Sequence, residues 1–176
     1  MYDSMPPLEI DLNSKYIAEM YTDVGRVDIQ LDPEVAPYTV NSFIFLAKNG
    51  FYDNTVFHRV IKDFVVQGGD PTGTGRGGPG YNIPDEFPGA PNLFQVGSVA
   101  MANTGQPDSG GSQFFIVVGS HGTTLPPKYT IFGKVISGMS NIHHIALDGA
   151  SSDQSGAPKV LHKIESISIQ KKENLT

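Results

Sequence analysis

Hydrophobic and polar positions alternate along two neighbouring segments near the N-terminus. Val27, Ile29 and Leu31 alternate with polar residues, and Asp23-Val24-Gly25 separates this segment from residues 16–22. A period of two is typical of a strand with one buried face, and a glycine-containing turn between two such runs indicates a hairpin. We therefore predict paired strands at residues 16–22 and 26–31.

The apolar pattern changes to helical spacing after Pro37. Apolar residues recur there at i, i+3, i+4 and i+7, and they are Val40, Phe43, Ile44 and Ala47. Pro37 suits a first helical turn, and Asn49-Gly50 supplies a stop. The spacing predicts a helix over residues 37–49, and a similar apolar face predicts a second helix over residues 137–147.

Short apolar segments fill much of the remaining chain. They predict strands at residues 55–60, 64–67, 97–101, 113–118, 130–135 and 164–169. Many short strands, frequent turn residues and two helices favour a closed antiparallel barrel with helical plugs. Periodicity alone supports only a β-rich globular domain. We place that domain at residues 15–170, between an N-terminal arm or linker (1–14) and a C-terminal tail (171–176).

Composition and charge narrow the function classes. A length of 176 residues fits one domain, and a net charge of -6 argues against broad electrostatic binding to nucleic acid or anionic lipid. The absence of cysteine excludes disulfides and thiol chemistry. No apolar run approaches the roughly 20 residues of a membrane span. The compartment stays open: we favour the cytoplasm, with an extracytoplasmic domain of an anchored protein as the alternative.

Two stretches could carry chemistry. Arg59 lies in an apolar segment beside Phe57 and Val60, and a buried arginine is costly unless it has an ion-pair partner or a ligand. Both explanations remain open at this point. In the second stretch, Gln113 and Phe115 are two residues apart on a predicted strand, so they share one face. The two stretches together supply a cation, two amides and several aromatic rings.

These stretches resemble the signature regions of cyclophilins, a family of peptidyl-prolyl cis/trans isomerases. The matching segments occur in family order and are Phe57-His58-Arg59-Val60-Ile61, Gln67-Gly68-Gly69-Asp70, Met101-Ala102-Asn103, Gly111-Ser112-Gln113-Phe114-Phe115-Ile116 and Phe132-Gly133-Lys134-Val135. The resemblance covers most of the chain. It implies a closed eight-stranded antiparallel barrel capped by two helices, with a substrate groove on its outer face.

The resemblance also implies roles for individual residues. The implied catalytic residues are Arg59, Gln67, Phe64 and Phe115. The implied substrate-binding residues are Val65, Ala102, Asn103, Thr104, Gln113, Leu125, Tyr129 and Gly73, of which Gly73 and Thr104 are expected to line a neighbouring side pocket. The expected partners are proline-containing peptides and unfolded or folding proteins, bound by a monomer that uses no metal and no cofactor.

The sequence departs from the common family pattern at four positions. Tyr129 replaces a frequent histidine, Val65 a methionine, Thr124 a tryptophan and Thr104 an alanine. Some bacterial members share the tyrosine and lack the tryptophan, so the resemblance points to a bacterial-type enzyme. Tight cyclosporin binders in the family usually have that tryptophan, and we expect cyclosporin to bind this chain only weakly.

The sequence leaves two alternatives to an isomerase open. Asp108-Ser109-Gly110-Gly111 resembles the nucleophile loop of trypsin-like proteases, but Pro107 replaces its first glycine and no histidine has that family's flanking sequence. A hydrolase using Ser109 and a proline-peptide binding module without turnover are therefore the alternatives to an isomerase. The arginine argues against the binding module, because binding alone does not need it.

Three other motifs predict no chemistry. Residues 73–80 are glycine-rich but lack the Gly-Lys-Ser/Thr of a phosphate loop, and we interpret them as a flexible surface loop. His143 and His144 are adjacent on a predicted helix, where their rings diverge by about 100° and do not suit one metal. Asp85-Glu86 is interpreted as part of a solvated loop.

Overall fold

The computed structural model describes residues 1–89, 93–151 and 155–172, and these form a mainly β fold with three helices. The strands are β1 (Lys15–Thr22), β2 (Gly25–Leu31), β3 (Thr55–Val56), β4 (Arg59–Ile61), β5 (Val65–Gly68), β6 (Ser98–Met101), β7 (Phe114–Val117), β8 (Ile131–Ser137) and β9 (Lys163–Lys172). The helices are α1 (Pro37–Lys48), α2 (Ser120–Thr123) and α3 (Met139–Leu147).

All nine strands of the described residues belong to one antiparallel sheet in the order β3-β9-β1-β2-β8-β6-β7-β5-β4. The predicted hairpin is confirmed, since β1 pairs with β2 from Tyr16 opposite Leu31 to Thr22 opposite Gly25. The predicted first helix is confirmed as α1, with Pro37 in its first turn.

The predicted closed eight-stranded barrel is wrong. The described residues form a curled half-barrel of nine strands, because the predicted strand at residues 55–60 is divided between the two ends of the sheet. β3 pairs with β9 and β4 pairs with β5, while between them the Phe57 N–H donates to the His162 carbonyl. The free edge of β4 is covered by a loop, since Ala150 donates to the Val60 carbonyl and Val60 donates to Gly156.

The helices also depart from the prediction of two. α2 is an additional short helix, and its first residue is held by Asp63, whose carboxylate accepts from the Ser120 N–H and hydroxyl. The predicted helix over residues 137–147 begins at Met139, because β8 extends to Ser137 and Gly138 has a left-handed φ of 82°.

Glu86 stabilises the start of α1 from a distant loop. Its carboxylate accepts from the backbone N–H groups of Tyr38 and Thr39 and from the Thr39 hydroxyl. A carboxylate at a helix N-terminus satisfies backbone donors that have no partner within the helix. The interpretation of Asp85-Glu86 as merely solvated is therefore wrong for Glu86.

The main core lies between α1 and the inner face of the sheet. Phe43 of α1 packs against the rings of Tyr52, Phe114 and Phe132, with centroid distances of 5.1, 5.7 and 5.3 Å. All four side chains are fully buried. Because α1 covers this face, any site for a ligand on these strands has to lie on the opposite face.

Residues 1–14 lie against α1. The Tyr2 ring packs edge-on against Phe45 at 5.0 Å, and Asn41 hydrogen-bonds the backbone of Pro7, Glu9 and Ile10. The boundaries at residues 14/15 and 170/171 stay predictions. Among the helices described, none has the length and apolar character that crossing a membrane requires.

Candidate active site

Strand register brings three of the four predicted catalytic residues, Arg59, Gln67 and Phe115, into one row on the outer face of the sheet. Arg59 of β4 lies opposite Gln67 of β5, Gln67 lies opposite Phe115 of β7, and Phe115 lies opposite Ala100 of β6. Directly opposed residues of paired strands project to the same side of a sheet. Four strands therefore place a cation, an amide and an aromatic ring side by side.

This row forms the floor of a cleft of about 240 Å³. The cleft is lined by nine residues, all of them predicted from the sequence: Arg59, Phe64, Val65, Gln67, Ala102, Asn103, Phe115, Leu125 and Tyr129. Their side chains offer an apolar surface with a cation at one edge. Such a surface suits a small apolar ring attached to a polar backbone.

Three predicted substrate-binding residues lie outside the cleft. Gln113 stands behind Gln67, where it hydrogen-bonds the loop at Gly75 and Gly77. Thr104 is exposed, and its N–H donates to the Ser109 hydroxyl. Gly73 lies beside Val56. A smaller neighbouring depression, bounded by Ile83, Pro84, Asp85, Met101, Ala102, Asn103, Gly110 and Thr130, includes neither Gly73 nor Thr104, whose roles stay predictions.

Arg59 is half-buried at the edge of the cleft. Its guanidinium lies 5.8 Å from the centroid of the Phe64 ring, and Nη1 donates to Gln67 Oε1 at 3.4 Å. Within the described ranges, no carboxylate lies at ion-pair distance from it. Of the two explanations for this arginine, the described residues favour a ligand over a structural ion pair.

Aromatic rings form the apolar wall of the cleft. Phe115 packs edge-on against Tyr129 at 5.3 Å and stacks on Phe94 at 6.4 Å, while Phe94 also meets Tyr129 at 6.4 Å. Phe94 is buried and packs against the rings of Phe115 and Tyr129 without lining the cleft itself. Phe94 could not be predicted from the sequence, because a lone phenylalanine in a loop gives no signal that it will pack against Phe115 of β7.

Two titratable groups border the site. Burial lowers the pKa of His58, as does the nearby Arg59 cation, and these effects outweigh the opposing influence of Asp70 and Gln113. Burial opposes ionisation of Asp70, but hydrogen bonds from Thr72, Gly77 and Gly75 outweigh it and lower the pKa of this carboxyl. Near neutral pH, His58 is therefore uncharged and Asp70 is ionised.

The described part of the chain contains no group of three or more histidine, aspartate or glutamate side chains arranged to hold a metal ion. His143 and His144 are both exposed on α3. The polar side chains that line the cleft include Arg59 and the amides of Gln67 and Asn103, beside the apolar wall.

Comparison with known proteins agrees with this arrangement. Residues 17–169 match the family model described as "Cyclophilin type peptidyl-prolyl cis-trans isomerase/CLD". Peptidyl-prolyl cis-trans isomerase B of Bacillus subtilis is 50% identical over 66% of this chain and 80% of its own length. Peptidyl-prolyl cis-trans isomerase A of Mycobacterium tuberculosis is 42% identical over 86% of this chain and 91% of its own length.

Solved structures share the fold. A cyclophilin-type peptidyl-prolyl cis-trans isomerase of Cryptosporidium parvum is 34% identical, with a TM-score of 0.79 over 89% of this chain and 98% of that one. A second crystal structure of that protein, determined in the presence of the dipeptide Ala-Pro, has a TM-score of 0.77 at 34% identity, over 88% of this chain and 98% of that one. The sheet, the cleft and these similarities together show that this chain belongs to the cyclophilin-type peptidyl-prolyl cis-trans isomerase family.

Proposed function

We propose that this chain accelerates cis/trans rotation of X-Pro peptide bonds and that Arg59 stabilises the twisted transition state. Rotation is slow because the C–N bond has partial double-bond character, with a barrier near 18–20 kcal/mol. When the bond twists, the prolyl nitrogen becomes pyramidal and regains a basic lone pair. A fixed donor beside that nitrogen binds the twisted state better than either planar state, and this difference is catalysis.

The proposal rests on the hydrogen-bond donors that Arg59 has left over for a ligand. A guanidinium has five N–H donors, and the hydrogen bond to Gln67 uses one of them. The group lies at the edge of an apolar cleft with no carboxylate partner among the described residues. Arginine keeps its proton throughout the accessible pH range, and its planar fork holds direction, so it suits a donor that is needed only in the transition state.

The apolar wall would hold the pyrrolidine ring while the rest of the bond rotates. Phe115 and Tyr129 offer two perpendicular ring surfaces, and Val65 and Leu125 complete the wall. Gln67 and the Asn103 backbone would hold the peptide on either side. The substrates would be proline-containing segments of unfolded or folding proteins, bound by a monomer without metal, cofactor or covalent intermediate.

The hydrolase alternative has less support. The Ser109 hydroxyl donates to the Gln106 carbonyl at 2.7 Å and accepts from the Thr104 N–H at 3.0 Å. A serine nucleophile needs a histidine base within hydrogen-bond reach, and among the described residues no histidine hydrogen-bonds Ser109. These contacts suit a residue that stabilises a turn.

A coupled isomerisation assay on a short X-Pro peptide tests the proposal. We expect wild type and Ser109→Ala to accelerate isomerisation equally. Arg59→Lys should lose most of the rate, because lysine keeps the charge but lacks the rigid fork. A wild type that binds the peptide without accelerating its isomerisation would support the binding module, and peptide cleavage that Ser109→Ala abolishes would support the hydrolase.

We also propose that cyclosporin binds weakly. Thr124 is exposed, and its hydroxyl donates to the His121 carbonyl at 2.9 Å, so this position offers neither ring surface nor indole donor. Titration of isomerase activity with cyclosporin should show weaker inhibition for wild type than for Thr124→Trp. Equal and tight inhibition of both proteins would contradict the proposal.

A further inference from the structure

Asp70 follows β5 and has a fully buried carboxylate. One oxygen, Oδ1, accepts from the Thr72 N–H and the Thr72 hydroxyl, both at 2.8 Å. The other oxygen, Oδ2, accepts from the Gly75 N–H at 2.6 Å and the Gly77 N–H at 3.1 Å. A buried charge is tolerated only when hydrogen bonds satisfy it. Asp70 therefore fixes the course of the loop that follows it.

The fixed loop aims two carbonyl groups at one side chain. The carbonyls of Gly75 and Gly77 both accept from Gln113 Nε2, at 3.0 and 2.9 Å. An amide NH₂ group can donate to these carbonyls, whereas an amide oxygen would meet them as an acceptor facing acceptors. The loop thereby decides which end of the Gln113 amide points away from it, and that end is the oxygen.

This orientation passes to Arg59 through a second amide. Gln113 Oε1 accepts from Gln67 Nε2 at 3.2 Å, and Gln67 Oε1 then accepts from Arg59 Nη1 at 3.4 Å. If both amides were reversed, an NH₂ group would face the guanidinium, which has only donors. The loop carbonyls therefore determine which group donates and which accepts in each hydrogen bond from Gln113 through Gln67 to Arg59.

We propose that Asp70 is a positioning residue for Arg59: its carboxylate holds the loop at Gly75 and Gly77, which orients Gln113, then Gln67, and so fixes the guanidinium beside the cleft. The inference deepens the proposed function and rests on the role given there to Arg59. The glycine-rich segment at residues 73–80, interpreted from sequence as a flexible surface loop, is on this account a support for the active site.

Two adjacent glycines supply a matched pair of variants. A Cβ on Gly77 would clash with Asp70 Oδ1 and would lie 2.8 Å from the Thr72 hydroxyl oxygen. A Cβ on Gly78 would have no atom within 4 Å. Neither glycine has a positive φ. Gly77→Ala therefore displaces the Asp70 carboxylate, while Gly78→Ala makes the same chemical change without that effect.

The experiment measures kcat and KM on an X-Pro peptide for Asp70→Asn, Gly77→Ala and Gly78→Ala, each with Arg59 and with Arg59→Ala. A misplacement of about 1 Å can cost on the order of 100-fold, so we expect Asp70→Asn and Gly77→Ala to lower kcat by about tenfold. KM should change less than kcat, and any change in KM would reflect the contact that Gln67 makes with the peptide. Gly78→Ala should match wild type. Residues that act through one another are not additive, so in the Arg59→Ala background the same changes should cost less than about twofold.

A spectroscopic measurement distinguishes positioning from general destabilisation. The side-chain NH₂ signals of Gln67 and Gln113 in ¹⁵N-labelled protein should shift in Asp70→Asn and Gly77→Ala, and stay in place in Gly78→Ala. If the buried substitution Asp70→Asn prevents folding, Gly77→Ala, at a half-buried position of the loop, carries the test alone.

Several results would overturn the proposal. Equal losses of kcat with and without Arg59 would show that Asp70 does not act through the arginine. Wild-type kcat in a folded Gly77→Ala protein would do the same, whether or not the Gln113 signals had shifted. The Arg59→Ala variant alone tests the proposed function, so a failure there is distinguished from a failure of Asp70 to position a working arginine.

Discussion

The two faces of strands β5, β6 and β7 are both apolar, yet they serve different ends. On the inner face, Phe114 and Ile116 join the large core beneath α1. On the outer face, Phe115 and Val117 belong to a small second cluster, and the hydrophobic residues packed against that cluster are only partly buried. The inner face is closed by a helix and contributes stability. The outer face is left open along one side, and that opening is the cleft.

Phe114→Ala and Phe115→Ala separate the two faces with the same chemical change at adjacent positions. Phe114 is fully buried and meets the rings of Phe43 and Tyr52, each at 5.7 Å. Removing a core phenylalanine costs about 3–5 kcal/mol. Urea unfolding should show this loss for Phe114→Ala and a smaller one for Phe115→Ala, while activity per folded molecule falls more in Phe115→Ala. The reverse pattern would mean that the faces are wrongly assigned.

Within the outer face, Phe115→Ala should reduce activity more than Val65→Ala. The aromatic ring packs against Phe94 and Tyr129 and offers more apolar area to a proline ring than valine does. If the two side chains differ by about 1 kcal/mol in the free energy gained by burying apolar area, kcat/KM differs by roughly fivefold. Equal losses in two folded proteins would place the proline pocket elsewhere.

A third prediction concerns stability at a site that does not line the cleft. His162 is buried between Asp148 and Asp23, with ring nitrogens 2.7 and 2.8 Å from their carboxylates and the His144 ring 5.9 Å away. Burial alone would lower the pKa of His162, but the hydrogen bonds and charges of Asp148 and Asp23 outweigh it and raise the pKa.

The sign of the pH effect follows from that raised pKa. Protonated His162 stabilises the fold fully at pH values below the pKa of histidine in the unfolded chain, which is near 6.5. That stabilisation is lost as the pH rises through the higher pKa of the folded protein. The melting temperature of wild type relative to His162→Gln should therefore fall as pH rises above about 6.5. Isomerase activity per folded molecule should be the same in both proteins. A constant difference in melting temperature would contradict this assignment.

The smallest expected effect is the pH dependence of the reaction itself. His58 directly precedes Arg59, and burial and the Arg59 charge lower its pKa despite the opposing influence of Asp70 and Gln113. His58 should stay neutral whenever the pH is above the ordinary pKa of histidine, so kcat/KM should be flat between about pH 6.5 and 8. An inflection in that range that His58→Gln removes would show that His58 titrates there after all.

The sequence could predict what depends on short-range spacing. The β1–β2 hairpin and α1 follow from alternation and helical periodicity within a few residues. The family motifs led to the nine residues that line the cleft, and the shared face of Gln113 and Phe115 agrees with the row that strand register forms on β4, β5 and β7.

Contacts between distant residues could not be predicted in this way. α2 was missed because Asp63, 57 residues earlier, holds its first turn. The strand at residues 55–60 was predicted as one element because nothing local reveals that its halves pair with opposite ends of the sheet. The Gln67-Gly68-Gly69-Asp70 motif does not predict the role proposed for Asp70, because that role depends on a loop that folds back onto Gln113.

The most direct test of the account compares rate with affinity in Arg59→Ala. Hydrogen bonds to charged groups contribute about 1.5–3 kcal/mol, so a bond made mainly in the transition state should be worth roughly 10- to 150-fold in rate. Arg26→Ala, which removes the same side chain from an exposed ion pair with Glu19 and Asp28, is the control.

NMR line shapes of one X-Pro peptide give the isomerisation rate on the enzyme and the dissociation constant together. Arg59→Ala should lower the rate by at least about tenfold and weaken binding far less, with an unchanged melting temperature, while Arg26→Ala should isomerise the peptide like wild type. Isomerisation by Arg59→Ala at the wild-type rate, or equal losses of rate and affinity, would contradict the role proposed for Arg59.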